Sequence, residues 1–170
     1  RPRGMPHIVC DPVMVSTSGH RLMAADAAEC MVGSLFPLCT LVTPNLPEAE
    51  SLWGEPLPTA AALDPAGRQL AARWGVHILV KGGHGADPDT VTDRLYSPDG
   101  TLRTFGKPRI VTPNLHGTGC TLSSAVAAFL SKGFPLHHAV AEAENFVARC
   151  IAGAKDLHIG RGNGPLRCGW

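Results

Sequence analysis

The chain has 170 residues, 44% of them hydrophobic and 17% charged, the balance of an ordinary globular domain with a real core. Lys and Arg number 15 against 14 Asp and Glu, a formal charge of +1, which removes any electrostatic case for nucleic acid or an anionic membrane as partner. No apolar run approaches a membrane span, and Arg1-Pro2-Arg3-Gly4 leads into no apolar stretch of a secretory signal. The chain does not begin with Met, as expected of a piece of something longer. Cys10, Cys30, Cys39, Cys120, Cys150 and Cys168 include no Cys-x-x-Cys pair, and a chain with a full core does not need disulfides, so the expectation is a reducing, cytoplasmic setting.

In chain order, His7-Ile8-Val9-Cys10 predicts a short buried strand ending at Asp11-Pro12-Val13-Met14, and Ser18-Gly19-His20 predicts a turn. Asp26 with Glu29 reads as a capping box opening a helix with Ala28, Met31, Val32, Leu35 and Phe36 on one face, stopped at Pro37. Thr40-Leu41-Val42-Thr43 is the next strand, and Pro44-Asn45-Leu46-Pro47-Glu48 opens a helix through Trp53. Pro56 to Leu63 reads as loop, with Asp64 capping a helix that has Pro65 at its first position and ends at Gly75. Val76 to Val80 is a strongly apolar strand that delivers Lys81-Gly82-Gly83-His84. Val91 to Tyr96 and Thr101 to Phe105 flank Ser97-Pro98-Asp99-Gly100, a hairpin signal. Arg109-Ile110-Val111 is a short strand-like piece closed by Thr112-Pro113-Asn114. A final helix carries Ala139, Val140, Ala143, Val147, Cys150 and Ile151 on one face, and Gly160 to Pro165 is loop.

The stretch around which the rest is organised is His116-Gly117-Thr118-Gly119-Cys120. Leu122, Ala125, Val126, Phe129 and Leu130 follow at the spacing of an amphipathic helix, ended by Gly133 and Pro135. Two glycines and a threonine therefore precede a helix start, whose free N–H groups and partial positive charge suit a phosphate or a developing anion. Cys120 stands in the field of that helix end. The motif is neither the dinucleotide fingerprint nor the P-loop, and alone it is weak.

Strands that alternate with helices and are continuously apolar mark a parallel sheet covered on both faces, an α/β fold. Such sheets bind ligands at the carboxyl ends of their strands. Asp11, Thr43 to Asn45, Lys81 to Gly83 and the Gly117–Cys120 turn all follow a strand, so the reading expects them to meet on one edge of the sheet. Phosphoryl transfer needs the parts they offer. Lys81 supplies a cation, Asp11 and Glu48 hold magnesium through water, the Gly117–Gly119 backbone forms an anion hole, and Cys120 acts as base or proton relay. Each has a structural alternative: Asp11 shaping a turn before Pro12, Glu48 completing a capping box with Asn45, Lys81 reaching solvent, Cys120 filling a crowded helix start. His116 and Cys120 as a metal pair fall short of a ligand set. His137-His138 reads as a solvated helix start.

Asp11-Pro12-Val13-Met14, Thr43 to Glu50, Lys81-Gly82-Gly83-His84 and His116 to Ser124 occur in that order. Together, from about Val9 to about Pro165, they resemble the hydroxymethylpyrimidine/phosphomethylpyrimidine kinases of thiamine biosynthesis, within the ribokinase-like superfamily. Most of that superfamily has Asp where this chain has Cys120; the Cys form is typical of the pyrimidine kinases and a related pyridoxal kinase group. The resemblance implies a single domain spanning 1–170, a ribokinase-like three-layer sandwich whose mostly parallel sheet has helices on both faces. It implies ATP as donor, Mg2+, and a hydroxymethylpyrimidine or its monophosphate as acceptor. Cys120, Gly117 and Gly119 would be catalytic, Lys81, Thr118 and Asn45 would bind the nucleotide, Val13 would line the pyrimidine pocket, and Asp11 and Glu48 would lie on the metal side. Family members carry a substantial portion before the Asp-Pro-Val-Met strand, where this chain has Arg1 to His7. A missing front leaves a sheet edge that invites association, here into a homodimer. Pyridoxal as acceptor, and a truncated chain that binds nucleotide without turnover, are the competing expectations.

Overall fold

The computed structural model describes residues 6–14, 22–85 and 87–169. These fall into two compact units, one formed by residues up to Asp87 together with Val91–Gly106, the other by Pro88–Thr90 and the chain from Lys107 onward.

The first unit is built on a sheet of five strands: β1 (Val9–Cys10), β2 (Leu41–Val42), β3 (His77–Val80), β4 (Thr90–Tyr96) and β5 (Leu102–Pro108), side by side in that order. β1, β2 and β3 are parallel, in register Val9–Leu41 and Leu41–His77, and β4 then runs antiparallel to β3 with Leu79 opposite Leu95. The parallel strands are joined by helices, because a parallel pair needs a long crossover connection. The first connection holds α1 (Ala25–Cys30), which loosens into a π turn at Met31–Leu35 and a 3-10 turn at Phe36–Leu38. The second holds α2 (Leu46–Trp53) and α3 (Ala60–Trp74). Phe36, Val42, Leu70, Ile78, Val80 and Tyr96 form the core of this unit, Phe36 and Tyr96 with no exposed surface. The β4–β5 turn is the expected one, with Gly100 at φ 84°.

Three local expectations are corrected. Asp26 does not cap α1: Ala24 is the cap position, without a side-chain bond, and Asp26 accepts from the adjacent Ala27 N–H. Asp64 and Pro65 lie inside α3, which starts at Ala60 with the Thr59 hydroxyl accepting from Ala62 N–H. The run Ala60-Ala61-Ala62 is strong helix former and starts the helix a turn early, and Asp64 is freed to accept a 2.7 Å bond from the Tyr96 hydroxyl. Finally, 109–111 forms no strand, because β5 already runs to Pro108 and Arg109 N–H turns to Asp89 O at 2.7 Å. The turn expected at Ser18-Gly19-His20 lies outside the described residues.

The second unit packs two helices, α4 (Thr118–Ser131) and α5 (Leu136–Ala154), through Leu122, Val126 and Leu130 on one and Ala139, Val140, Ala143, Val147 and Cys150 on the other, all buried. The carboxylate of Glu144 lies on that same buried face of α5 and pairs with the Lys107 ammonium. No helix among the described residues is long and apolar enough to cross a membrane.

His77 gives this fold a pH dependence. Its Nδ1 lies 3.1 Å from the Ser97 hydroxyl, and burial holds its pKa below the usual histidine value, partly opposed by Asp99. The unfolded chain therefore binds the proton more readily than the folded one, so the contribution is full above pH about 6.5 and is lost as pH falls through the lower folded value. Urea midpoints measured from pH 7.5 to 5 should fall, and His77→Gln should flatten the fall.

Candidate active site

At the carboxyl ends of the three parallel strands the chain leaves a charged cluster. Asp11 follows β1, Thr43 follows β2 and Lys81 follows β3. Thr43 N–H donates to Cys10 O at 2.9 Å and Lys81 N–H to Pro44 O at 2.9 Å, so the ladder continues one step past each strand and fixes where these side chains start. Lys81 Nζ then reaches Asp11 Oδ1 at 2.6 Å, and the fully buried Thr43 hydroxyl lies 3.2 Å from the same oxygen. The two charged side chains are only 16% and 13% exposed. Lys81 is thus no strand end running into solvent.

Glu48 completes the cluster. Asn45 N–H donates to Glu48 Oε2 at 2.7 Å and Glu48 N–H to Asn45 Oδ1 at 2.8 Å, a full capping box at the start of α2. The structural alternative for Glu48 is therefore present. The carboxylate is also 2% exposed, and burial pushes its pKa up, against the Asn45 bond and the positive charge of Lys81. Asp11 adds to that rise, because the two carboxylates share the charge of Lys81. With Asp11 beside it, the oxygen donors fit a hard divalent cation that keeps most of its water. Val13 is 42% exposed, its N–H turned back to Asp11 O at 2.9 Å.

The Gly117–Cys120 turn belongs to the second unit. Gly117 is the N-cap of α4 at φ 88°, a left-handed conformation open to glycine at little cost. The helix begins at Thr118, so Thr118, Gly119 and Cys120 form its first turn rather than preceding it. Thr118 N–H and hydroxyl both turn to Leu115 O, at 3.3 and 2.7 Å, and Thr121 N–H is held by Gly117 O. Helix geometry gives the N–H groups of Gly119 and Cys120 no acceptor within the helix. Of the expected Gly117–Gly119 set, the Thr118 N–H is thus taken up by Leu115 O, while Gly119 and, one residue further, Cys120 lie at the helix start. Cys120 is exposed, which removes the reading of it as a small buried filler.

What holds this turn was invisible in the sequence. Asn114, 3% exposed, donates its side-chain amide to Ala154 O and Leu157 O at 2.7 and 2.8 Å, tying the turn to the end of α5. Gly164 packs against its Oδ1 so closely that a Cβ would overlap it, and His116 N–H donates to Gly164 O at 3.1 Å. The Gly160–Pro165 tail is thus part of the brace behind the turn. Asp93 and Glu144 were missed as well. Each is a carboxylate at a core position of its element, two before Leu95 on a strand and four after Val140 on a helix, and that parity is the signal that marks them.

Known proteins share both fold and sequence. A family profile described as phosphomethylpyrimidine kinase matches residues 1–167. A hydroxymethylpyrimidine/phosphomethylpyrimidine kinase of Staphylococcus aureus is 40% identical over 163 residues, 95% of this chain and 58% of the relative, so the chain spans a little over half of that protein. Among solved structures, the pyridoxal kinase of Staphylococcus aureus in complex with AMP-PCP matches at TM-score 0.83 and 31% identity over 96% of this chain and 58% of that one. A phosphomethylpyrimidine kinase of Clostridium difficile matches at TM-score 0.67 and 30% identity over 85% of this chain and 57% of that one. Its α/β fold is of the ribokinase-like type expected, and the chain belongs to the phosphomethylpyrimidine kinase family.

Proposed function

We propose that the chain is the C-terminal part of a single kinase domain that transfers the γ-phosphoryl group of ATP to 4-amino-5-hydroxymethyl-2-methylpyrimidine and to its monophosphate, in the cytoplasm. The observation that carries this reading is Lys81 fixed at the end of β3, its ammonium held on Asp11 beside Glu48, in a chain of this family. Lys81 holds the nucleotide phosphates by charge, with Asn45 and Thr118 as further nucleotide contacts. Asp11 and Glu48 would hold magnesium through water, and the ion would supply charge to neutralise the phosphates. Val13 lines the pyrimidine pocket. Of the Gly117–Gly119 turn, the Gly119 N–H, with that of Cys120, receives the charge of the moving phosphoryl group. Cys120 takes the proton of the acceptor hydroxyl as the new O–P bond forms and the bond to the β-phosphate oxygen breaks, releasing ADP. Two copies associating as a homodimer would cover an open sheet edge.

Pyridoxal kinase is the second reading, favoured by the structural likeness to the Staphylococcus aureus enzyme. The test is incubation with ATP, magnesium and the hydroxymethylpyrimidine, followed by chromatography. ADP and phosphorylated pyrimidine should appear in equal amounts. ATP binding with transfer to neither pyrimidine nor pyridoxal would overturn the kinase reading and leave a chain that only binds nucleotide.

A further inference from the structure

Asp93 is a buried carboxylate that the reaction above does not use. It stands on β4, 2% exposed, and its Oδ1 accepts a 2.6 Å bond from Gly82 N–H. The register of β3 on β4 pairs Val80 with Arg94, so the next step of the ladder brings Asp93 alongside Lys81. The backbone around Lys81 is thereby held from both sides. Its own N–H goes to Pro44 O on the β2 side, and the N–H of the following residue goes to Asp93 on the β4 side. Gly82 packs so tightly on the backbone carbonyl of Thr92 that a Cβ would overlap it. Beyond this clasp, Gly83, His84 and Gly85 are exposed.

We propose that Asp93 is a positioning residue for Lys81: its carboxylate, clasping Gly82 N–H, sets the place from which the Lys81 ammonium reaches the nucleotide phosphates. This rests on the phosphate role given to Lys81 above. Lys is a point charge on a long flexible stem, so its delivery depends on where its backbone is pinned. A bond from a backbone N–H to an ionised carboxylate is short and roughly twice as strong as a neutral one, which suits it to that task. Loss of one bond from a charged group costs about 10- to 100-fold in affinity.

The test is a double-mutant cycle read by calorimetry, with a non-hydrolysable ATP analogue and magnesium as probe and the folded fraction of each variant checked by circular dichroism. Asp93→Ala should weaken the analogue by about 10- to 100-fold, and Asp93→Asn, which keeps the Oδ1 acceptor, should recover most of that loss. In a Lys81→Ala background Asp93→Ala should weaken it no further, since both act through one group. Wild-type affinity in Asp93→Ala, or an equal loss with and without Lys81, overturns the proposal and leaves Asp93 a purely structural residue. If Lys81→Ala alone leaves affinity unchanged, the phosphate role of Lys81 fails and the proposal falls with it, whatever Asp93→Ala does. Should Asp93→Ala not fold, Gly82→Ala carries the same test by pushing the same backbone off Thr92. A loss that adds to that of Lys81→Ala would again count against the proposal.

Discussion

Replacing Cys120 by alanine should lower turnover by about 10²- to 10⁴-fold, the span that a positioned general base supplies, and leave ATP binding as it was, if the proposed role of the thiol holds. The thiol is exposed on the first turn of α4, so removing its sulfur opens no cavity and strands no buried partner. The variant should therefore match the parent in urea midpoint, which separates a chemical role from a packing one. Its backbone N–H stays in place, so the donors at the helix start are untouched. Steady-state kinetics with ATP varied gives the answer. A loss confined to turnover supports the assignment, and activity equal to the parent removes Cys120 from the mechanism. An equal fall in folded fraction would point to packing instead.

Replacing Lys107 by methionine should cost about 3 kcal/mol of stability, the lower end of what breaking a buried pair costs. Glu144 is 5% exposed on the face of α5 that packs against α4, and Lys107, 23% exposed on its side chain, supplies the charge that pairs with it. Without that ammonium the carboxylate is left buried and uncompensated. Its Oε1 already has no hydrogen-bond partner among the described residues. Urea denaturation of Lys107→Met should show the loss, a large share of a typical 5–15 kcal/mol stability. Lys107→Met combined with Glu144→Leu should recover most of it, because an apolar pair of similar volume needs no charge. A single variant as stable as the parent would mean that Glu144 reaches water or another cation.

The elements were legible where sequence pattern and local chemistry agree. The start of α2 follows from Asn45, Pro47 and Glu48, and α3 ends at Gly75 as read, with φ 62° at that residue. The reading failed where two signals competed. Asp64-Pro65 is a plausible helix opening, yet Thr59 and the alanine run begin α3 earlier and draw Asp64 to Tyr96. At the front of α4, periodicity locates the buried face but not the first turn, because residues before Leu122 have no apolar spacing to reveal them. Of the candidate residues, the structure gathers Asp11, Thr43, Asn45, Glu48 and Lys81 in the first unit. Gly117 to Cys120 lie in the second. The residues that brace these groups, Asp93 and Asn114, carry no motif. Each acts by a backbone contact to another segment, 11 residues away for Asp93 and 40 for Asn114, and neither helical nor strand periodicity links residues at such separations.

That the acceptor is a hydroxymethylpyrimidine, phosphorylated at the expense of ATP, is the proposal on which the residue roles depend. It is tested most directly by measuring kcat/KM for the hydroxymethylpyrimidine and for pyridoxal side by side, at saturating ATP and magnesium. The higher value should belong to the pyrimidine, with its phosphorylated product identified by mass. A higher value for pyridoxal, or phosphorylation of neither, would contradict it.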